Sequence, residues 1–178
     1  MRVIIGLMCL LVLAGPHPAS GQPFVLQGSA GPTLVDTGHS VAAGVGLSPS
    51  SHVTILFNLE RTHLSSQLQT DGRGSVAGFR GGTMTLGAGE LRVALFGRDR
   101  VAPYGLAGFA AGVSRPNVND LFPERVANDV RAVFFGGGIN VPVTERIGIF
   151  VDGRMMIGEE AGELLAVAPI RAGIGWRF

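Results

Sequence analysis

Three observations predict an all-β chain: a closed antiparallel up-and-down transmembrane β-barrel of about eight strands, preceded by a cleaved signal peptide. The first is the stretch Leu164–Phe178, LLAVAPIRAGIGWRF. Counting back from Phe178 in steps of two, Trp176, Ile174, Ala172, Ile170 and Ala168 are all apolar. The offset positions Arg177, Gly175, Gly173, Arg171 and Pro169 are small or cationic. A period of two is a strand with one apolar face. The second is the start of the chain, Met1-Arg2 followed by VIIGLMCLLVLA up to Ala14. The third is that the connections between alternating segments are by turns short and long, as in a barrel with short inner turns and long outer loops.

The N-terminal run is a targeting segment. Gly15-Pro16-His17-Pro18 breaks it, and Ala19-Ser20-Gly21 supplies the small residues of a signal-peptidase site. Residues 1–21 read as a secretory signal peptide cut between Gly21 and Gln22, leaving 22–178 as one domain. The apolar run is shorter than the roughly 20 residues of a membrane helix. Cys9, the only cysteine, lies inside it in a poor lipidation context, so the mature chain is expected to have no disulfide or cysteine-bound metal.

The strands follow in order. Near 24–30, Phe24, Leu26, Gly28 and Ala30 alternate with Val25, Gln27 and Ser29. Over 39–47, Val41, Ala43, Val45 and Leu47 alternate with Ser40, Ala42, Gly44 and Gly46. The turn Ser48-Pro49-Ser50-Ser51 leads to 52–60, where Val53, Ile55, Phe57 and Leu59 face away from Thr54, Leu56, Asn58 and Glu60. A long polar connection is expected over 61–82. The fourth strand, 83–96, sets Gly89, Leu91, Val93 and Leu95 against Glu90, Arg92 and Ala94. A tight turn at Gly97–Arg100 precedes a fifth strand, 101–113, and a second long loop over 114–128. The sixth strand is 129–141, and Pro142–Glu145 turns into the seventh, 146–157. There Ile147, Ile149, Val151, Gly153 and Met155 alternate with Gly148, Phe150, Asp152 and Arg154. An acidic loop over 158–163 reaches the last strand.

Composition narrows the function classes. A formal net charge of +1 gives no basis for a nucleic-acid partner. The 28 glycines carry no collagen period and fall inside alternating segments, where close packing around a narrow barrel uses them. No further run is long and apolar enough for a membrane helix, so a membrane-embedded chain crosses as strands.

With these features the chain resembles the small outer-membrane β-barrels of the OmpA/OmpX type. The shared pattern is the signal peptide, the amphipathic strands, the alternating loop lengths and the terminal GIGWRF. The resemblance implies residence in a bacterial outer membrane, contact with its lipid, and recognition of Ile174, Trp176 and Phe178 by the barrel-assembly machinery. With one Trp and one Tyr, its aromatic girdles would rest on Phe57, Phe96, Phe109 and Phe178. A monomer is expected, and the external ligand is left open.

An eight-stranded barrel is just filled by its own side chains. The inward sets supply Asn58, Glu60, Glu90, Arg92, Asp152, Arg154, Arg171 and Arg177, whose opposite charges could pair and plug the interior. No diffusion pore is expected. A catalytic alternative rests on His63-Leu64-Ser65 with Glu60 close by, since a hydrolase needs a hydroxyl, a base and a group that orients the base. Outer-membrane lipid A deacylases, similar in size, use such a set. Here the pair falls at the start of a Ser-rich loop, where hydroxyls are common, and no enzyme activity is expected. His39 and Ser40 are adjacent and point to opposite faces. Glu159, Glu160 and Glu163 could bind a divalent cation, but they read as a solvated loop. No metal site and no cofactor are expected. A soluble exported ligand-binding barrel is a further alternative, needing apolar inward and charged outward faces, the reverse of this pattern.

Overall fold

The computed structural model describes residues 24–34, 38–65, 67–70, 76–79, 81–97, 100–118 and 126–178. The signal-peptide reading lies outside them. The strands are β1 (Phe24–Thr33), β2 (Gly38–Leu47), β3 (Val53–Leu64), β4 (Gln67–Thr70), β5 (Val76–Phe79), β6 (Gly82–Ala94), β7 (Ala102–Pro116), β8 (Asn128–Pro142), β9 (Ile147–Glu160), β10 (Glu163–Val167) and β11 (Ile170–Arg177). Every ladder is antiparallel. The sheet runs β10-β9-β11-β1-β2-β3-β6-β7-β8, and β8 pairs with β9 to close it. β10 and β11 both lie along β9 and form one stave, so the barrel has eight. Closure pairs the staves around the barrel and so removes the open edges of a flat sheet, while β10 has its ladder with β9 alone and β4 and β5 stand outside the closed sheet.

The alternation read from the sequence sets the faces. Leu26, Ile55, Phe57, Leu59, Leu91, Val93, Phe109, Val133, Phe135, Ile139, Ile149, Val151 and Ile174 all point out of the barrel and are exposed. The side chains between them point in and are buried or half-buried. Aromatic rings close the short-turn end of the outer face: Trp176 stacks on Phe178 at 5.3 Å, and Phe178 lies 6.0 Å from Phe24. Tyr104, the only tyrosine, is not part of this girdle; it points inward and is buried.

Several strands run further than expected, chiefly at the long-loop end. β3 continues to Leu64, β7 to Pro116 and β9 to Glu160. The connection expected over 61–82 is largely paired: Leu64 lies opposite Gly82, and β4 and β5 form a separate two-stranded ladder. Ser114 pairs with Asn128, so the second long loop shrinks to the residues between Pro116 and Asn128. The acidic loop is a two-residue turn, Ala161-Gly162, with φ of 53° and 84°. Two successive positive φ angles match the twist of the flanking strands, and the glycine adopts its angle without a Cβ penalty. Polar composition alone misplaced these ends, because paired backbone tolerates polar side chains wherever both faces reach water. The last stave is also broken where a continuous strand was expected. Pro169 has no N–H to donate, and the ladder is interrupted between Val167 and Ile170.

Candidate functional site: the barrel interior

The interior divides into two halves. At the short-turn side and middle lies a charged lattice. Arg171 and Asp152 are cross-strand neighbours on β11 and β9. The Arg171 guanidinium grips Asp152, donating from Nε and Nη2 to Oδ1 at 3.0 and 2.9 Å. Tyr104 Oη donates to the other oxygen, Oδ2, at 3.1 Å, and Arg92 Nη2 reaches it at 3.4 Å. Arg92 also pairs with Glu90. Arg154 Nη2 donates to Glu60 Oε2 at 2.7 Å, joining staves that are not neighbours in the sheet.

Neutral groups satisfy the remaining acceptors. Ser40 Oγ and Thr62 Oγ1 donate to Glu60 Oε1 at 2.8 and 3.3 Å. Asn58 donates to Glu90 at 3.2 Å and accepts from Gln27 at 2.7 Å. Aromatic faces cover the guanidinium planes: Arg92 lies 4.7 Å from the Phe150 ring centre and Arg154 4.8 Å from that of Phe134. Three arginines (Arg92, Arg154 and Arg171) meet three carboxylates (Glu60, Glu90 and Asp152), so the lattice is charge-neutral. Charges this deeply buried persist only when paired and hydrogen-bonded.

The half towards the long loops is apolar. Leu64, Met84, Leu86, Leu106, Val130, Phe134, Met156, Leu165 and Val167 form one buried cluster. The sequence reading named only the polar network as the filling of the lumen, and the structure adds this apolar cluster to it. These residues share the inward parity of the charged ones; Leu64 lies on a strand extension that the sequence reading left in a loop, and the others lie in expected strands at positions it did not assign to a face. Parity carried along β3 past Glu60 reaches Thr62 and Leu64, and along β1 reaches Gln27; that signal identifies the members that were missed.

Of the residues expected in the lumen, Asn58, Glu60, Glu90, Arg92, Asp152, Arg154 and Arg171 come together in the lattice. Arg177 also points inward, half-buried beside a cavity of about 80 Å³ at the short-turn end, with Gln27, His52 and Tyr104 in its wall. Ile174, Trp176 and Phe178 lie on the outer face, exposed.

The catalytic constellation is not assembled. Glu60 is 1% exposed, inside the barrel and engaged by Arg154, whereas His63 is on the outer face of β3. An odd separation on one strand sends the two side chains in opposite directions. The His63 ring lies beside His39 instead, 5.3 Å between centres across the β2–β3 ladder. Ser40 points inward, opposite to His39. Glu159 and Glu160 likewise face out of and into the barrel, so the acidic residues do not converge on a common point. Among the described residues no group of three or more His, Cys, Asp or Glu side chains could hold a metal ion.

No protein-family model matches the chain, and no curated protein sequence matches it. Its fold is similar to that of Neisserial surface protein A, at 11% identity and a TM-score of 0.67 over 89% of this chain and 100% of that one. The N-terminal β-barrel domain of Pseudomonas aeruginosa OprF is similar at 13% identity and a TM-score of 0.64, over 88% and 97%. Ail, the attachment invasion locus protein of Yersinia pestis, solved with the heparin analogue sucrose octasulfate, is similar at 13% identity and a TM-score of 0.53, over 89% and 99%. The fold of this chain is that of the small eight-stranded outer-membrane β-barrels.

Proposed function

We propose that the protein is an outer-membrane β-barrel of a Gram-negative-type envelope, with a closed interior and a structural or surface-interaction role carried by its long-loop end. The observation that carries this reading is the pairing of an apolar outer face with a charge-neutral interior lattice. Exposed Val, Leu, Ile and Phe on every stave suit lipid and do not suit water. A soluble exported barrel would show the opposite faces. Crossing a bilayer takes about 9–11 residues per strand, and β7 and β8 have 15 each. Their surplus at the long-loop end stands clear of the membrane as a platform. Arg154–Glu60 and Arg92–Asp152 tie staves across the lumen, leaving no continuous aqueous path for a diffusing solute. No enzyme activity is proposed.

Fractionation of cells expressing the full chain tests the reading, with electrophoresis of boiled and unboiled outer membranes and conductance in planar bilayers. Outer-membrane enrichment, a heat-dependent mobility shift and no steady conductance are expected. Recovery in the soluble periplasmic fraction overturns the orientation of the faces, and steady open-channel current overturns the closed interior. The outward row Ile174, Trp176 and Phe178 is assigned to the barrel-assembly machinery. Phe178→Ser is expected to reduce the heat-shifting band in membranes several-fold, and an unchanged band removes that role.

A further inference from the structure

Where the apolar half of the interior opens towards the long loops there is a cavity of about 520 Å³. Ligand pockets span roughly 300–1,000 Å³. Part of its wall is Leu64, Met84 and Leu165, each at most 5% exposed. Another part is Ser114, Asn128 and Glu160, with Glu163 at the rim. Glu160 Oε1 accepts from Ser114 Oγ and, at 3.3 Å, from Asn128 Nδ2. Both donors are neutral. A carboxylate offers about four lone-pair positions, and among the described residues no arginine or histidine pairs with Glu160, while Glu60, Glu90 and Asp152 deeper in the barrel each meet arginines.

We propose that this mouth cavity binds a small amphiphilic cation, its apolar body against Leu64, Met84 and Leu165 and its ammonium on the Glu160 carboxylate. Among the described residues no third His, Cys, Asp or Glu joins Glu160 and Glu163 to hold a metal ion. The carboxylate disfavours anions, and a neutral apolar ligand would leave its charge unmatched in a partly dry site. The proposal rests on the membrane-barrel reading for the accessibility of this end from outside.

The test uses the full-length protein in lipid nanodiscs with methionine methyl groups labelled, titrated with 1-adamantanamine, 1-adamantanol and 1-adamantanecarboxylate. These probes share one apolar cage and differ in charge. Saturable movement of the Met84 resonance is expected with the amine, about tenfold weaker binding of the alcohol, and none of the acid. Met155, which points outward, monitors partition into lipid. Glu160→Gln should remove the amine's advantage and leave alcohol binding unchanged, and Met84→Trp should abolish both by filling the space. A heat-shifting protein whose Met84 signal ignores the amine, or responds equally to amine and alcohol, overturns the inference. Parallel, non-saturating movement of Met155 and Met84 also overturns it. A chain that shows no heat shift and stays soluble overturns the barrel reading instead, and this site with it.

Discussion

Asp152 receives a bidentate Arg171, the Tyr104 hydroxyl and the outer reach of Arg92. Removing one member of such a buried set leaves its partners charged and unmatched, which costs about 3–5 kcal/mol. Asp152→Leu is therefore expected to destabilise the barrel by that amount, read as a lower urea midpoint of the heat-shifting band in lipid. Glycine acts at the same scale through space. A Cβ on Gly44 would lie 2.0 Å from Asn58 Oδ1, the group that accepts from Gln27. A Cβ on outward-facing Gly28 meets nothing within 4 Å. Gly44→Val should cost about 1–3 kcal/mol by overpacking, while Gly28→Val leaves the same midpoint within error. Equal effects would show that lumen packing does not set the stability.

Each stave has two jobs at the element scale, and β9 separates them most plainly. Ile149, Val151 and Ile157 form its exposed face, and Phe150, Asp152, Arg154 and Met156 its buried one. One residue thus divides a lipid contact from an ion pair. A cation on the lipid face near the bilayer middle costs about 2–4 kcal/mol, so Val151→Arg should lower the unfolding midpoint accordingly. An arginine three positions on, Arg154 on the opposite face, is part of the stabilising lattice. If Val151→Arg proves neutral, that face does not meet lipid.

For the whole molecule, closure is independent of the longest external connection. β3 and β6 pair through Leu64 and Gly82, whereas β4 and β5 form their own ladder outside the closed sheet. Replacing residues 66–80 by a two-residue Asn-Gly turn should leave the heat-dependent mobility and the unfolding midpoint unchanged, because the pairing that closes the barrel is untouched. Loss of the heat shift in that variant would give the β4–β5 hairpin a part in folding.

The sequence by itself determined the all-β class, the stave count and the direction of nearly every assigned side chain. A period of two is local and survives without knowledge of neighbours, so Glu90, Asp152 and Arg171 were legible as inward from their own strands alone. What joined them was not local. That Arg154 meets Glu60, that Tyr104 turns in to Asp152, and that Glu60 and His63 part company depend on barrel closure and on β3 continuing to Leu64. The apolar half above the lattice, and the cavity at its mouth, were hidden for the same reason. Leu64, Met84 and Leu165 come from separate staves, and only the closed sheet brings them together. Periodicity fixes which way a side chain points, and register and closure fix what it finds there.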